Sequence, residues 1–178
     1  MESPGAPRPA RLGGPGRPVR LVEQTVAQDD PDPKALACYG LYLPASAEVW
    51  LRFVDGRPVS VLTTEFLAWC ADRLAARGAR ALLLVWDNAG WHSSATVHTW
   101  LRAHNRRVKR AGTGVRILSC FLPSQSPWLN PIEPKWRHGK RRVVEPDRLL
   151  PAAELEQRVC TAFGCDPERH RAVSKKAA

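Results

Sequence analysis

No C-x-x-C pair occurs in this chain of 178 residues, and its cysteines number five. The odd count and the missing pairs disfavour both a disulfide framework and a zinc ribbon. Cys70 and Cys160 fall on apolar helix faces, where a free thiol behaves as a small hydrophobe. Reduced thiols of this kind suit a cytoplasmic setting. No apolar run approaches the roughly 20 residues that a bilayer span needs. No hydrophobic segment opens the chain, so a signal peptide is not expected. Internal repeats are missing too. Acidic residues are scarce, 17 against 27 Lys and Arg, giving a net charge of +10 and a pI near 10.0. Such a balance favours a polyanionic partner, most often nucleic acid. An arginine-rich surface without such a partner is the plainer alternative.

What is present is enough for one domain. The apolar fraction of 44% is ordinary for a globular chain. Residues 1–17 are Pro, Gly and Arg with little to bury, and they read as a disordered tail, as do 171–178. "VRLVEQTVA" can form a strand, and "QDDPDPK" is a loop. "ALACYGLYL" and "EVWLRFV", joined by "PASA", fit an antiparallel hairpin over 35–43 and 48–54. Thr63 or Thr64 can cap a helix carrying Phe66, Leu67, Cys70, Ala71 and Leu74, with Gly78 as its stop. "LLLVW" reads as a strand buried on both faces. Ser93 or Ser94 can cap a second helix with Val97, Trp100, Leu101, His104 and Val108 on one side. "VRILSCFL" is a further strand, followed by the loop "PSQSPWLNP", a basic helix and a last helix starting near Pro151. The order is α/β with a mixed sheet.

Asp87 stands where the apolar strand ends, the place where reactive groups gather in open α/β sheets. An Asx turn is the structural alternative at that position. Glu133 follows the proline-stiffened "SPWLNP" loop and opens the basic helix. Here the alternative is a capping box, since Asn130 and Glu133 have N-cap and N3 spacing. Pro134 complicates that frame and allows a helix beginning nearer Glu133.

"DNAGWH" after one strand and "LPSQSPWLNPIEPKW" after the next closely resemble the catalytic domain of DDE transposases. The similarity is to the bacterial insertion-sequence branch of the mariner superfamily, and it runs from about Pro18 to His170. It implies a ribonuclease H-like fold, a mixed sheet flanked by helices. It also implies three carboxylates that hold two Mg2+ or Mn2+ ions for cleavage and strand transfer of double-stranded DNA, at transposon ends and target. On that resemblance Asp87 matches the second carboxylate and Glu133 the third. Asn88 and His92 match positions beside the site, and Asn130 with Pro131 matches the pair that aims the glutamate. Hard cations take oxygen ligands, which suits these residue types. Two ions can stabilise both the attacking and the leaving oxygen of an in-line displacement.

The chain departs from the family pattern in two ways. The stretch between Asp87 and Glu133 is longer than in many relatives, with the excess in the basic "NRRVKRAGTGVR", where a surface loop tolerates length. The first carboxylate is not found. Glu23 lies in a plausible strand without the family motif, while Asp29, Asp30 and Asp32 lie in the proline-rich loop. No helix-turn-helix precedes them. We therefore expect residues 18–170 to form an N-terminally truncated DDE domain lacking the first catalytic strand. Its DNA contacts would come from Arg106, Arg107, Lys109 and Arg110 and from Lys135, Arg137, Lys140, Arg141 and Arg142. A second copy, or the missing N-terminal half, is the further partner. The expected setting is the bacterial cytoplasm and nucleoid, with no membrane. A catalytically inactive DNA-binding remnant is the alternative. His92 reads as a polar group beside the site and His104 as a packed core residue. The tryptophans read as core, with Trp91 and Trp128 placed either in packing or against DNA.

Overall fold

The computed structural model describes residues 36–145, 148–168, 170 and 172, together with two short strands nearer the N-terminus. Those two, β1 (Arg11–Leu12) and β2 (Val19–Arg20), form an antiparallel pair. The rest of the predicted N-terminal tail, the "VRLVEQTVA" strand beyond Arg20, and Glu23, Asp29, Asp30 and Asp32 lie outside the described residues, as does nearly all of 171–178. From there on the elements are β3 (Ala37–Leu43), β4 (Glu48–Val54), α1 (Ser60–Ala76), β5 (Ala81–Trp86), α2 (Ala95–Ala111) and β6 (Arg116–Phe121). A 3-10 turn (Pro127–Leu129), α3 (Glu133–Val143) and α4 (Ala152–Phe163) complete them. No helix among the described residues is long and apolar enough to cross a membrane.

The expected α/β order is observed, and it is compatible with a ribonuclease H-like domain. The sheet itself differs from the expectation. Among the described residues β3 and β4 form one antiparallel pair, β5 and β6 form a separate parallel pair, and no ladder joins the two. Two-stranded sheets are marginal by themselves, so helices must hold them. Alternate residues of the hairpin face opposite layers. Tyr39, Leu41, Trp50 and Val54 pack with α1, α2 and the inner face of β5 and β6. Val49, Leu51 and Phe53 pack with Ile132, Trp136, Cys160 and Phe163 from the α3–α4 side. Both faces of the hairpin are therefore covered.

Among the described residues the β5–β6 pair is covered on one face only, which differs from the expectation of a strand buried on both. Leu82, Leu84, Trp86 and Ile117 are buried, whereas their neighbours Leu83 and Leu118 are 66% and 46% exposed. Leu83 and Leu118 are register partners. A strand's side-chain period of two sends them together to the face that no described helix covers. On the inner side, Asn105 of α2 bonds both backbone groups of Ile117, at 2.8 and 2.9 Å. Trp86 Nε1 donates to Ser119 Oγ at 2.9 Å. The strand that carries Asp87 is thus fixed against its neighbour and against α2.

Helix starts show where local rules yielded to packing. α1 begins at Ser60, three residues before the expected Thr cap, with Val59 as its uncapped first position. Thr63 and Thr64 sit inside the helix and return their hydroxyls to the carbonyls of Val59 and Val61. The buried Tyr39 hydroxyl also donates to Val59 O, at 3.0 Å. That contact ties the entrance of α1 to β3; it does not replace a cap, which would accept from the first N–H groups of the helix. α2 follows its sequence signals: Ser94 Oγ accepts from Val97 N, and Gly112 closes it at φ 67.

Candidate active site

Asp87 is the first residue beyond β5. Its Oδ1 accepts the Ala89 N–H at 3.0 Å and lies 2.8 Å from His92 Nδ1. The Asx turn read as an alternative therefore exists, and it involves one oxygen of the carboxylate. The side chain remains 48% exposed. His92 is itself held, its ring stacked on Trp86 with centroids 5.0 Å apart. Asn88 Nδ2 donates to Leu122 O at 2.7 Å and ties the end of β5 to the exit of β6.

Glu133 opens α3, with Ile132 as N-cap and Pro134 in the first turn. The capping-box frame is thereby overturned, because the helix begins two residues later than a helix capped by Asn130 would. Asn130 is buried and acts before the helix. Its backbone carbonyl accepts Glu133 N at 3.0 Å, and its Oδ1 accepts Ile132 N at 3.4 Å. Pro131 and Pro134 restrict the backbone on both sides of the glutamate. A carboxylate at a helix N-terminus also lies at the favourable end of the helix dipole.

Asp87, His92, Asn130 and Glu133 all line one cavity of about 680 Å³. Its long walls are β3 and β5, each of which is hydrogen-bonded along one edge only among the described residues. Phe66 and Leu67 of α1 lie on one side, and Trp136 and Val143 of α3 on the other. Trp136 lies so close to β3 that a Cβ on Gly40 would stand 2.5 Å from its ring. The structure thus brings the two sequence-predicted carboxylates to a common cavity from separate elements. Two carboxylates with water filling the remaining positions are a donor set that Mg2+ or Mn2+ accepts. Among the described residues no cluster of three or more His, Cys, Asp or Glu has a metal-holding arrangement.

The two predicted basic clusters part company. On α3, Lys140 lines the cavity, Lys135 Nζ sits 4.8 Å over the Tyr42 ring, and Arg137, Arg141 and Arg142 are exposed. Arg106, Arg107, Lys109 and Arg110 occupy the last turns of α2. That helix starts beside the Asp87 loop and runs about 25 Å for its 17 residues. Its basic end therefore stands at the opposite end of β5 and β6 from Asp87. Among the described residues none of these nine side chains forms an ion pair with a carboxylate. His104 is packed as expected, bonded to Val115 O at 2.8 Å and stacked on Trp100.

One feature escaped the sequence reading. β3 forms a wall of the cavity, a long-range contact with no local signal. Trp91 and Trp128, for which the sequence leaves packing and DNA contact both open, are 39% and 72% exposed.

A family model described as DDE superfamily endonuclease matches residues 52–155, a span that holds Asp87, Glu133 and the whole of α3. This chain belongs to the DDE superfamily of endonucleases. Enzymes of that superfamily act on DNA and generally use divalent metal ions. No curated protein matches the chain.

Proposed function

We propose that this chain is the catalytic portion of a transposase, one that cuts and rejoins DNA during movement of a bacterial insertion sequence of the mariner type. The observation that carries the reading is the arrival of Asp87 and Glu133 at one cavity, from a strand end and a helix N-terminus. In this reading both side chains are ligands for Mg2+ or Mn2+. Bound there, the metal would supply charge stabilisation to the attacking and leaving oxygens of the phosphodiester. His92 orients Asp87, and Asn130 sets the backbone from which Glu133 projects. Lys140, Arg137, Arg141 and Arg142, with Lys135, hold the DNA backbone beside the site, and the α2 cluster extends that contact to the other end of the strand pair. Phosphate contacts of this kind position DNA without reading its sequence.

Mn2+ binding followed by titration calorimetry tests the ligand assignment without requiring turnover. Saturable binding that is lost in both Asp87→Asn and Glu133→Gln is expected. Binding that survives both substitutions would overturn the assignment.

The second reading, a DNA-binding remnant without catalysis, rests on the sequence, in which no residue matches the family's first carboxylate. Two-metal chemistry needs both ions in register with the phosphate, and a misplacement of about 1 Å can cost on the order of a hundredfold in rate. We therefore expect the isolated chain to nick DNA poorly with Mg2+ or Mn2+. Robust nicking that Asp87→Ala abolishes would remove the remnant reading.

A further inference from the structure

All seven tryptophans lie among the described residues, and they divide sharply. Trp50 and Trp86 are buried, while Trp69, Trp100 and Trp136 are partly buried against other rings. The two that are exposed, Trp91 and Trp128, lie four positions after Asp87 and five before Glu133. Trp91 lines the same cavity as Asp87 and Glu133. It meets His92 edge-on, with centroids 5.8 Å apart, and His92 in turn contacts Asp87. Trp128 sits on the 3-10 turn, where Leu129 N bonds Ser126 O and Asn130 N bonds Pro127 O, at 3.1 and 2.9 Å. The next link in that chain of backbone bonds is Asn130 O to Glu133 N. Among the described residues no other ring contacts Trp128. Each carboxylate thus has an exposed indole joined to it through a short, hydrogen-bonded segment.

Leaving a tryptophan in water forgoes the burial of a large apolar surface. An indole face is also what an unstacked nucleobase binds, and stacking of this sort tolerates any base because every base has a π-face. Beside a cleavage site on a net-positive domain, these rings have that use available. Resting on the DNA-cutting reading above, we propose that Trp91 and Trp128 are stacking platforms for unpaired nucleobases next to the cleaved phosphodiester. They position the strand and take no part in the chemistry. A base pulled from the duplex onto a ring is held by the ring, while the basic side chains of α3 hold the backbone.

The two contributions differ in their response to salt. Phosphate contacts release counterions and steepen the salt dependence of binding, whereas stacking on a neutral ring does not. The experiment compares two DNAs of one sequence, a fully paired duplex and a duplex with a three-nucleotide unpaired end carrying 2-aminopurine. Anisotropy is read across a salt series, and 2-aminopurine fluorescence reports stacking. The full chain should favour the unpaired end and quench its fluorescence. Trp128→Ala should weaken that complex by about fivefold to a hundredfold, relieve the quenching and leave the salt slope unchanged. Trp128→Phe should restore much of the affinity. Trp91→Phe and Trp91→Ala should follow the same order, with circular dichroism confirming the fold, since Trp91 also packs on His92. Charge reversal at Lys140, Arg141 and Arg142 should instead flatten the slope by about one unit for each phosphate that is no longer neutralised.

If the Trp128→Ala chain binds and quenches like the parent, the proposal is wrong while the DNA-cutting reading stands. If the parent chain binds neither DNA at low salt, the reading itself fails. A Trp128→Ala chain that changes only its sedimentation, with DNA binding intact, would identify the ring as a protein contact and overturn the proposal.

Discussion

At the level of single residues, His92 shows how a site is tuned by a side chain that need not touch the metal. Its Nδ1 faces Asp87 Oδ1 at 2.8 Å, and its ring is clamped between Trp86 and Trp91. The imidazole therefore limits which way the carboxylate can turn. Partners of metal-ligating groups commonly account for tenfold to a hundredfold in metal affinity. Under the proposed ligand assignment, His92→Ala should weaken Mn2+ binding by about that factor in calorimetry. The Asx bond from Ala89 N–H to Oδ1 survives the change, so an unfolded loop is not the expected cause. Unchanged Mn2+ affinity would show that the contact merely packs the turn. The thiols play no such role. Burial pushes Cys38 up to about 11 and Cys160 to about 12, the latter aided by Cys165, so both stay protonated and unreactive at neutral pH.

At the level of elements, the basic helix is held by contact with its successor. α3 carries few apolar residues, and its sequence gives no strong reason to dock. Gly139 makes docking possible. A Cβ there would lie 2.5 Å from the Phe163 ring of α4. Gly139→Ala sets two effects against each other. Helix propensity would gain about 0.8–1.0 kcal/mol, whereas overpacking a tight contact costs typically about 1–3 kcal/mol. The approach is short enough that the second effect should win. A net loss of roughly 1 kcal/mol, or about 2–4 °C in Tm at this chain length, is the expected result by thermal denaturation. A rise in Tm would mean that Phe163 swings aside without cost. Because Trp136 packs on Gly40 from the same helix, loosening α3 should also loosen the wall beside Glu133.

At the level of the whole molecule, charge links distant parts of the chain. His170 lies 2.8 Å from Asp55, just past β4, and 2.9 Å from Glu156 in α4. Burial lowers its pKa, but the hydrogen bonds and charges of the two carboxylates outweigh this, and the net shift is upward. A histidine whose folded pKa exceeds the unfolded value of about 6.5 stabilises the fold fully below that value. The contribution is lost as pH rises through the folded pKa. Stability measured by urea denaturation should therefore fall, from this group, as pH climbs from about 6 through the raised folded value. His170→Gln should flatten that segment of the profile. Identical profiles for the two proteins would show that these hydrogen bonds do not persist in solution. Glu154 titrates far lower, near 2, because Arg148 and Arg158 both bond it, so it contributes nothing to that window.

Much of this architecture was legible in the chain. The hairpin, both helices around β5, the strand into Asp87 and the start of the last helix follow from side-chain periodicity, turn residues and caps, which act over a few positions. Asp87 and Glu133 stood out because a carboxylate at the end of an apolar strand and another between prolines each break a local pattern. Three things depended on contacts far apart in sequence. The exposure of Leu83 and Leu118 rests on which layers cover β5 and β6, and the strand pattern alone does not say. The start of α1 at Ser60 carries no side-chain cap, and the bond from Tyr39 of β3 that ties its entrance to the sheet is a long-range contact. The cavity that Asp87 and Glu133 share is bounded by β3, and the exposure of Trp91 and Trp128 beside it follows from where the other five tryptophans found partners. Local propensity assigns elements. Which faces are buried, and which side chains meet, is settled only when hydrophobic layers from distant segments compete for the same surface.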